Sequence, residues 1–198
     1  MRKRFAIVVL CWVWIVVTSS FAQQIDVAVA AGSLRGANAT TNSLGYVPGE
    51  GGGTYVGING DVIFLKNLGV QGDVFWKAGQ GLYAGAVPDR PIFWDINAIY
   101  LRHLMPRVTA EAVGGIGVAS VRFYSGTVNC SFYGNCSDYV SSNHFQGDVG
   151  GGIRFYVWRK VFVRPEVRLY LVHNNLEFSS SFPLRYSGSI GYTFGGSR

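Results

Sequence analysis

The pattern that most constrains this chain is alternation with a period of two residues, repeated in eight segments after Ala22. Successive side chains of a β-strand point to opposite faces, so such alternation marks strands with two unlike sides. Each segment runs for about ten to thirteen residues, the length a tilted membrane-crossing strand needs. No helical periodicity persists beyond Ala22, and no apolar run there is long enough for a transmembrane helix.

The alternating segments are expected at residues 25–34, 54–65, 68–77, 93–102, 107–121, 145–157, 161–171 and 184–194. The first sets Ile25, Val27, Val29 and Ala31 against Asp26, Ala28, Ala30 and Gly32. The seventh is the clearest, with Val163, Pro165, Val167, Leu169 and Leu171 on one face and Arg164, Glu166 and Arg168 on the other. Connections alternate in length. Residues 36–53, 79–92, 122–144 and 173–183 form long, polar stretches, while Lys66-Asn67, 103–106 and 158–160 make short turns. Four long and three short connectors bring both ends of an eight-stranded meander to one side.

Which face meets the outside decides the class. The apolar face carries Trp76, Trp94, Tyr100, Tyr186, Tyr192 and Phe194, which suit an aromatic girdle at a membrane interface. The other face carries Asp61, Asp73, Asp95, Glu111, Asp148, Arg154, Arg164, Glu166, Arg168 and Arg185. Only 14% of residues are charged, against about 25% in an average soluble domain. If those ten faced water, little charge would remain for the loops. Turned into a narrow lumen they neutralise one another, and closing the sheet removes edges that lipid cannot satisfy. The expected fold is all-β: an eight-stranded antiparallel transmembrane β-barrel with short periplasmic turns and long extracellular loops.

The first residues place the chain in the export pathway. Arg2, Lys3 and Arg4 precede an apolar run from Phe5 to Val17, and Ser20 and Ala22 make a small-x-small cleavage site. This is the pattern of a secretory signal peptide, residues 1–22, leaving 23–198 as the barrel domain. Leu10 precedes Cys11 where lipidation requires a small residue, so a lipoprotein is not expected. Without Arg2, Lys3 and Arg4 the seventeen basic residues fall to fourteen, against eleven acidic ones. No basic run remains, which argues against nucleic acid as a partner. Cys130 and Cys136 stay in the mature part, in a polar stretch, and in an exported chain read as a loop-closing disulfide.

The terminal segment Ser189-Ile190-Gly191-Tyr192-Thr193-Phe194 has aromatics two apart with glycine before them. With the signal peptide and the long-short connector rhythm, it resembles the small OmpA-like and OmpX-like outer-membrane barrels. The resemblance departs at the end, where Gly195-Gly196-Ser197-Arg198 follow the last aromatic. It implies a porin-family barrel in the bacterial outer membrane, in contact with lipid and lipopolysaccharide. It also implies insertion by the barrel-assembly machinery, while the long loops themselves offer a surface through which an extracellular ligand could be met. No further domain is expected, because nothing of domain size follows Phe194.

Candidate chemistry concentrates inside the barrel. Glu111, Asp148, Arg154, Arg164, Glu166, Arg168 and Arg185 are expected to form layered salt bridges across a lumen just wide enough for side chains. They could plug the barrel or act as a gate for ions and small solutes. His103, His144 and His173 are the remaining candidates for acid–base work, yet none lies in a recognisable nucleophile motif, and no metal or cofactor is expected. In the longest loop a Cys130–Cys136 bridge would pin Ser131-Phe132-Tyr133-Gly134-Asn135, either to present the aromatic pair or to resist proteolysis. A structural or surface-interaction role is the preferred function and a gated pore the alternative. A lipid-modifying barrel enzyme is a third class. The intact mass of the protein recovered from membranes should correspond to a chain beginning at Gln23; a chain still carrying residues 1–22 would make the segment an anchor.

Overall fold

The computed structural model describes residues 24–36, 40–42, 45–47, 51–130, 136–175 and 177–195. The expected signal peptide and the loop tip 131–135 lie outside them. The strands are β1 (Gln24–Arg35), β2 (Thr40–Asn42), β3 (Gly45–Val47), β4 (Tyr55–Leu65), β5 (Leu68–Lys77), β6 (Gly81–Tyr83), β7 (Val87–Met105), β8 (Val108–Cys130), β9 (Cys136–Trp158), β10 (Val161–Val172) and β11 (Leu184–Gly195). β2 and β3 pair with each other. Eight of the others form an antiparallel ring in the order β5-β4-β1-β11-β10-β9-β8-β7, and β7 pairs with β5 to close it. β6 extends the upper edge of β7.

The ring is closed by its first and last strands. β1 and β11 pair from Gln24↔Gly195 to Arg35↔Leu184. The side-chain period then assigns every strand one outer and one inner face. Ile96 is 69% exposed while neighbouring Asp95 is 4% exposed, so apolar groups point out and charged ones in. A soluble barrel would be built the other way round.

The interior is stratified. At the end with the short turns, Ile63, Ile99, Leu101 and Val113 form one apolar cluster, and Ala28, Tyr156 and Phe162 another. Towards the opposite mouth, Leu34, Tyr55, Phe75, Phe93 and Tyr170 are buried together with Ala30, Ala119 and Val172. Tyr55 stacks on Phe75, and Phe93 on Tyr170, with ring centroids 5.6 and 4.8 Å apart. The charged residues lie between these layers. These aromatics share the inner parity with the charges, beside Asp73, Asp95 and Arg168 in sequence.

Two of the expected long loops are largely strand. Residues 122–144 hold the upper halves of β8 and β9, each 23 residues long. Tilted membrane strands need about ten residues, so this hairpin rises well beyond the wall. Its ladder with β7 ends at Asp89↔Phe123, and that with β10 ends at Val172↔Gln146. Because β7 begins at Val87, Trp94 sits within a strand rather than near its end.

β8 presses closely on β7. A Cβ at Gly117 would collide with the Trp94 carbonyl oxygen, and one at Gly115 with that of Ile96. Gly117→Val should therefore prevent ring closure. In unboiled gels of membrane fractions the wild type should migrate differently from the boiled protein, and G117V should run at the boiled position in both lanes. Without a boil-dependent shift in the wild type, the closed ring would be refuted.

Candidate functional site

The charged middle of the barrel is one connected network. Arg154, completely buried, receives carboxylates from three strands. Its Nε lies 2.6 Å from Glu111 of β8, its Nη2 2.7 Å from Asp61 of β4, and its Nη1 contacts Asp26 of β1. Arg164 shares two of these acids, with Nη1 3.2 Å from Glu111 and 3.6 Å from Asp61, and donates from Nε to Ser189 Oγ at 3.0 Å.

Nearer the long loops, Arg168 and Arg185 converge on Glu166, at 3.0 and 2.5 Å. Arg168 also approaches Asp148 at 3.4 Å and Asp95 at 3.6 Å. Arg185 binds Asp73 at 2.7 Å, donates to the Tyr170 hydroxyl at 2.8 Å and lies over the Phe75 ring at 4.4 Å. Gln71 joins the two halves: its amide donates to Asp61 at 2.9 Å and its carbonyl accepts from Arg168 at 2.6 Å. Gln146 donates to Asp95.

Glu111, Asp148, Arg154, Arg164, Glu166, Arg168 and Arg185 all take part in these contacts. Asp26, Gln71, Gln146, Ser189 and Tyr170 are additional members. Their inner parity follows from the alternation, but which residues meet across the lumen depends on strand stagger, which a sequence does not display. Seven buried carboxylates (Asp26, Asp61, Asp73, Asp95, Glu111, Asp148 and Glu166) face four buried guanidiniums.

The mouth has its own cluster. Tyr83 donates from its hydroxyl to the Glu177 carbonyl oxygen at 2.6 Å, and its ring meets Phe123 and Phe178 edge-on. The Glu177 carboxylate accepts from Ser142 at 2.5 Å and lies 2.9 Å from His144 Nε2. A serine–histidine–acid relay uses opposite ring nitrogens for its two partners. Here Nε2 faces both Ser142, at 3.0 Å, and Glu177. The three side chains tie the last loop to β9. His103 Nδ1 is 2.9 Å from Thr109 Oγ1 beside a short turn, and His173 is exposed.

Of the expected girdle, Trp94, Tyr100, Tyr186, Tyr192 and Phe194 are exposed on the outer face and Trp76 is half-buried there. Tyr100 pairs with Leu68 and Tyr192 with Val161, both at the short-turn end, whereas Tyr186 pairs with Ser33 towards the mouth. Cys130 and Cys136 stand opposite each other in the β8–β9 register.

Truncating Arg154 would leave three buried carboxylates without their shared cation. Arg154→Met should cost about 3–5 kcal/mol of folding free energy. Urea titration in lipid vesicles, read by tryptophan fluorescence, measures this; an unchanged midpoint would show that the guanidinium is dispensable.

The chain matches no protein-family model, and no curated protein matches it in sequence. Solved structures do match. Neisserial surface protein A superposes with a TM-score of 0.64 at 15% identity, over 86% of this chain and 97% of that one. Ail of Yersinia pestis, solved with the heparin analogue sucrose octasulfate, gives 0.55 at 12% identity, covering 86% and 98%. The N-terminal barrel of Pseudomonas aeruginosa OprF gives 0.51 at 11%, covering 87% and 98%. At these identities the likeness is one of fold. By strand order, register and inverted faces, this chain has the fold of the small eight-stranded outer-membrane β-barrels.

Proposed function

We propose that the mature protein is an integral outer-membrane barrel with a structural or surface-interaction role and a lumen closed to solutes. One observation carries the reading: four arginines with at most 1% exposure are each held by two or more carboxylates. Apolar layers lie above and below them. Moving any one guanidinium out of the way would strand its carboxylates in a dry interior, which is costly.

In this reading the long-loop end faces outside, as in other barrels of this architecture. The β8–β9 hairpin is then the most prominent surface feature. A free two-stranded ribbon is marginally stable in water, and several contacts offset this here. Tyr124 and Tyr139 pack at 5.9 Å between ring centroids, and Arg122 lies 4.8 Å above Tyr139. A disulfide between the facing Cys130 and Cys136 would complete the staple and hold the tip ready for a partner. Export through a signal peptide ending at Ala22 belongs to the same proposal, as does insertion by the barrel-assembly machinery. The Ser142–His144–Glu177 cluster is assigned a fastening role and no catalytic one.

A gated pore is the second reading, favoured by the surplus of carboxylates over guanidiniums along the lumen. Planar bilayer recording separates the two. The purified, folded protein should produce no discrete conductance steps; reproducible cation-selective steps would replace the closed barrel with the pore.

A further inference from the structure

The three short turns carry a charge pattern unlike the rest of the surface. Lys66 lies in the β4–β5 turn, Arg102 near the end of β7, Arg107 in the β7–β8 turn, and Arg159 and Lys160 form the β9–β10 turn. All five are exposed. Among the described residues none of them has a carboxylate within salt-bridge distance, and the acids nearest in sequence and register, Asp26, Asp61 and Glu111, are buried on Arg154. The opposite end is mixed in sign, with Arg35, Lys77, Arg90 and Arg122 set among Asp89, Asp138 and Glu177.

The turns are held rigidly. The Asn67 carbonyl accepts from the Leu101 amide at 2.7 Å, the Arg107 carbonyl from Tyr156 at 2.9 Å, and the Lys160 carbonyl from Thr193 at 2.9 Å. Each turn is thereby bonded to the wall strand beside it, so the backbone that carries the cations is fixed. Apolar side chains project beside them: Trp158 is 73% exposed, Met105 66% and Leu104 53%. Tyr100 and Tyr192 lie just above on the outer face. Cations at the level of amphipathic aromatics and exposed aliphatic groups match a lipid surface, where chain and headgroup are met together. A soluble acidic partner would have no use for the flanking apolar groups.

We infer that this rim is a binding collar for anionic phospholipid headgroups of the periplasmic leaflet. The inference rests on the orientation given above, which protease shaving of the β8–β9 hairpin on intact cells checks separately. Each cation near an anionic surface contributes Coulomb attraction that salt screens, and the rigid turns spare much of the ordering cost.

The test uses the full mature protein in phosphatidylcholine vesicles containing spin-labelled phosphatidylglycerol or spin-labelled phosphatidylcholine. Electron spin resonance of the immobilised fraction gives their relative association constants. Phosphatidylglycerol should be favoured by about fivefold at low ionic strength, and less as salt is added. The preference should approach parity in K66Q/R102Q/R107Q/R159Q/K160Q and fall part way in R102Q/R107Q and in R159Q/K160Q. R35Q/R122Q should leave it unchanged. The boil-dependent gel shift verifies folding of each variant, and the two double variants carry the test if the fivefold variant does not fold. Absence of preference in the wild type overturns the inference, as does a preference that survives neutralisation or one lost only in R35Q/R122Q.

Discussion

Everything in this molecule depends on the pairing of its first strand with its last. Until β1 meets β11, the ring has two open edges, each a row of amide and carbonyl groups that lipid cannot hydrogen-bond. Once they meet, every wall strand has two neighbours, and the circumference is fixed at eight strands. That circumference sets the width of the lumen, and the width decides that its contents must be side chains in contact. The charged network is thus a consequence of closure. Arg154 can reach Asp26, Asp61 and Glu111 only because β1, β4 and β8 have been brought around to face β9.

The network in turn explains how a protein turned inside out keeps a defined structure. The apolar outer face contributes little that is specific, since lipid chains pack against any aliphatic group. Direction is supplied within, where each guanidinium selects carboxylates from particular strands at particular heights. Arg168 and Arg185 meet at one carboxylate of Glu166, and Gln71 passes the connection on to Asp61. A slip of one residue in any strand would turn its inner charges to the lipid.

Much of this is written in the chain. Parity alone assigns Asp73, Asp95, Arg164 and Arg168 to the inside and Val163, Val167 and Ile190 to the outside, and the structure agrees at each. The short turns are legible because so few residues separate the alternating runs. Other features are not legible, for identifiable reasons. Tyr55, Phe75, Phe93 and Tyr170 have the inner parity, but nothing in the alternation says that they gather into one stacked layer. The upper halves of β8 and β9 are rich in serine and asparagine, as loops are, and become strands because they have each other to pair with. Asp26 is a lone acid near the start of the domain, and its importance depends on Arg154, far away in sequence. Ser142, His144 and Glu177 meet only because the last loop folds back over the mouth.

The length of the β8–β9 hairpin has a mechanical consequence. A pull on its tip runs lengthwise down both strands into the wall, where β7 flanks one and β10 the other. Force along a strand loads its cross-strand bonds in shear, so many rungs must yield together, whereas force across a strand opens them one by one. A load on the tip is therefore carried through the stiffest direction of the sheet and spread around the barrel.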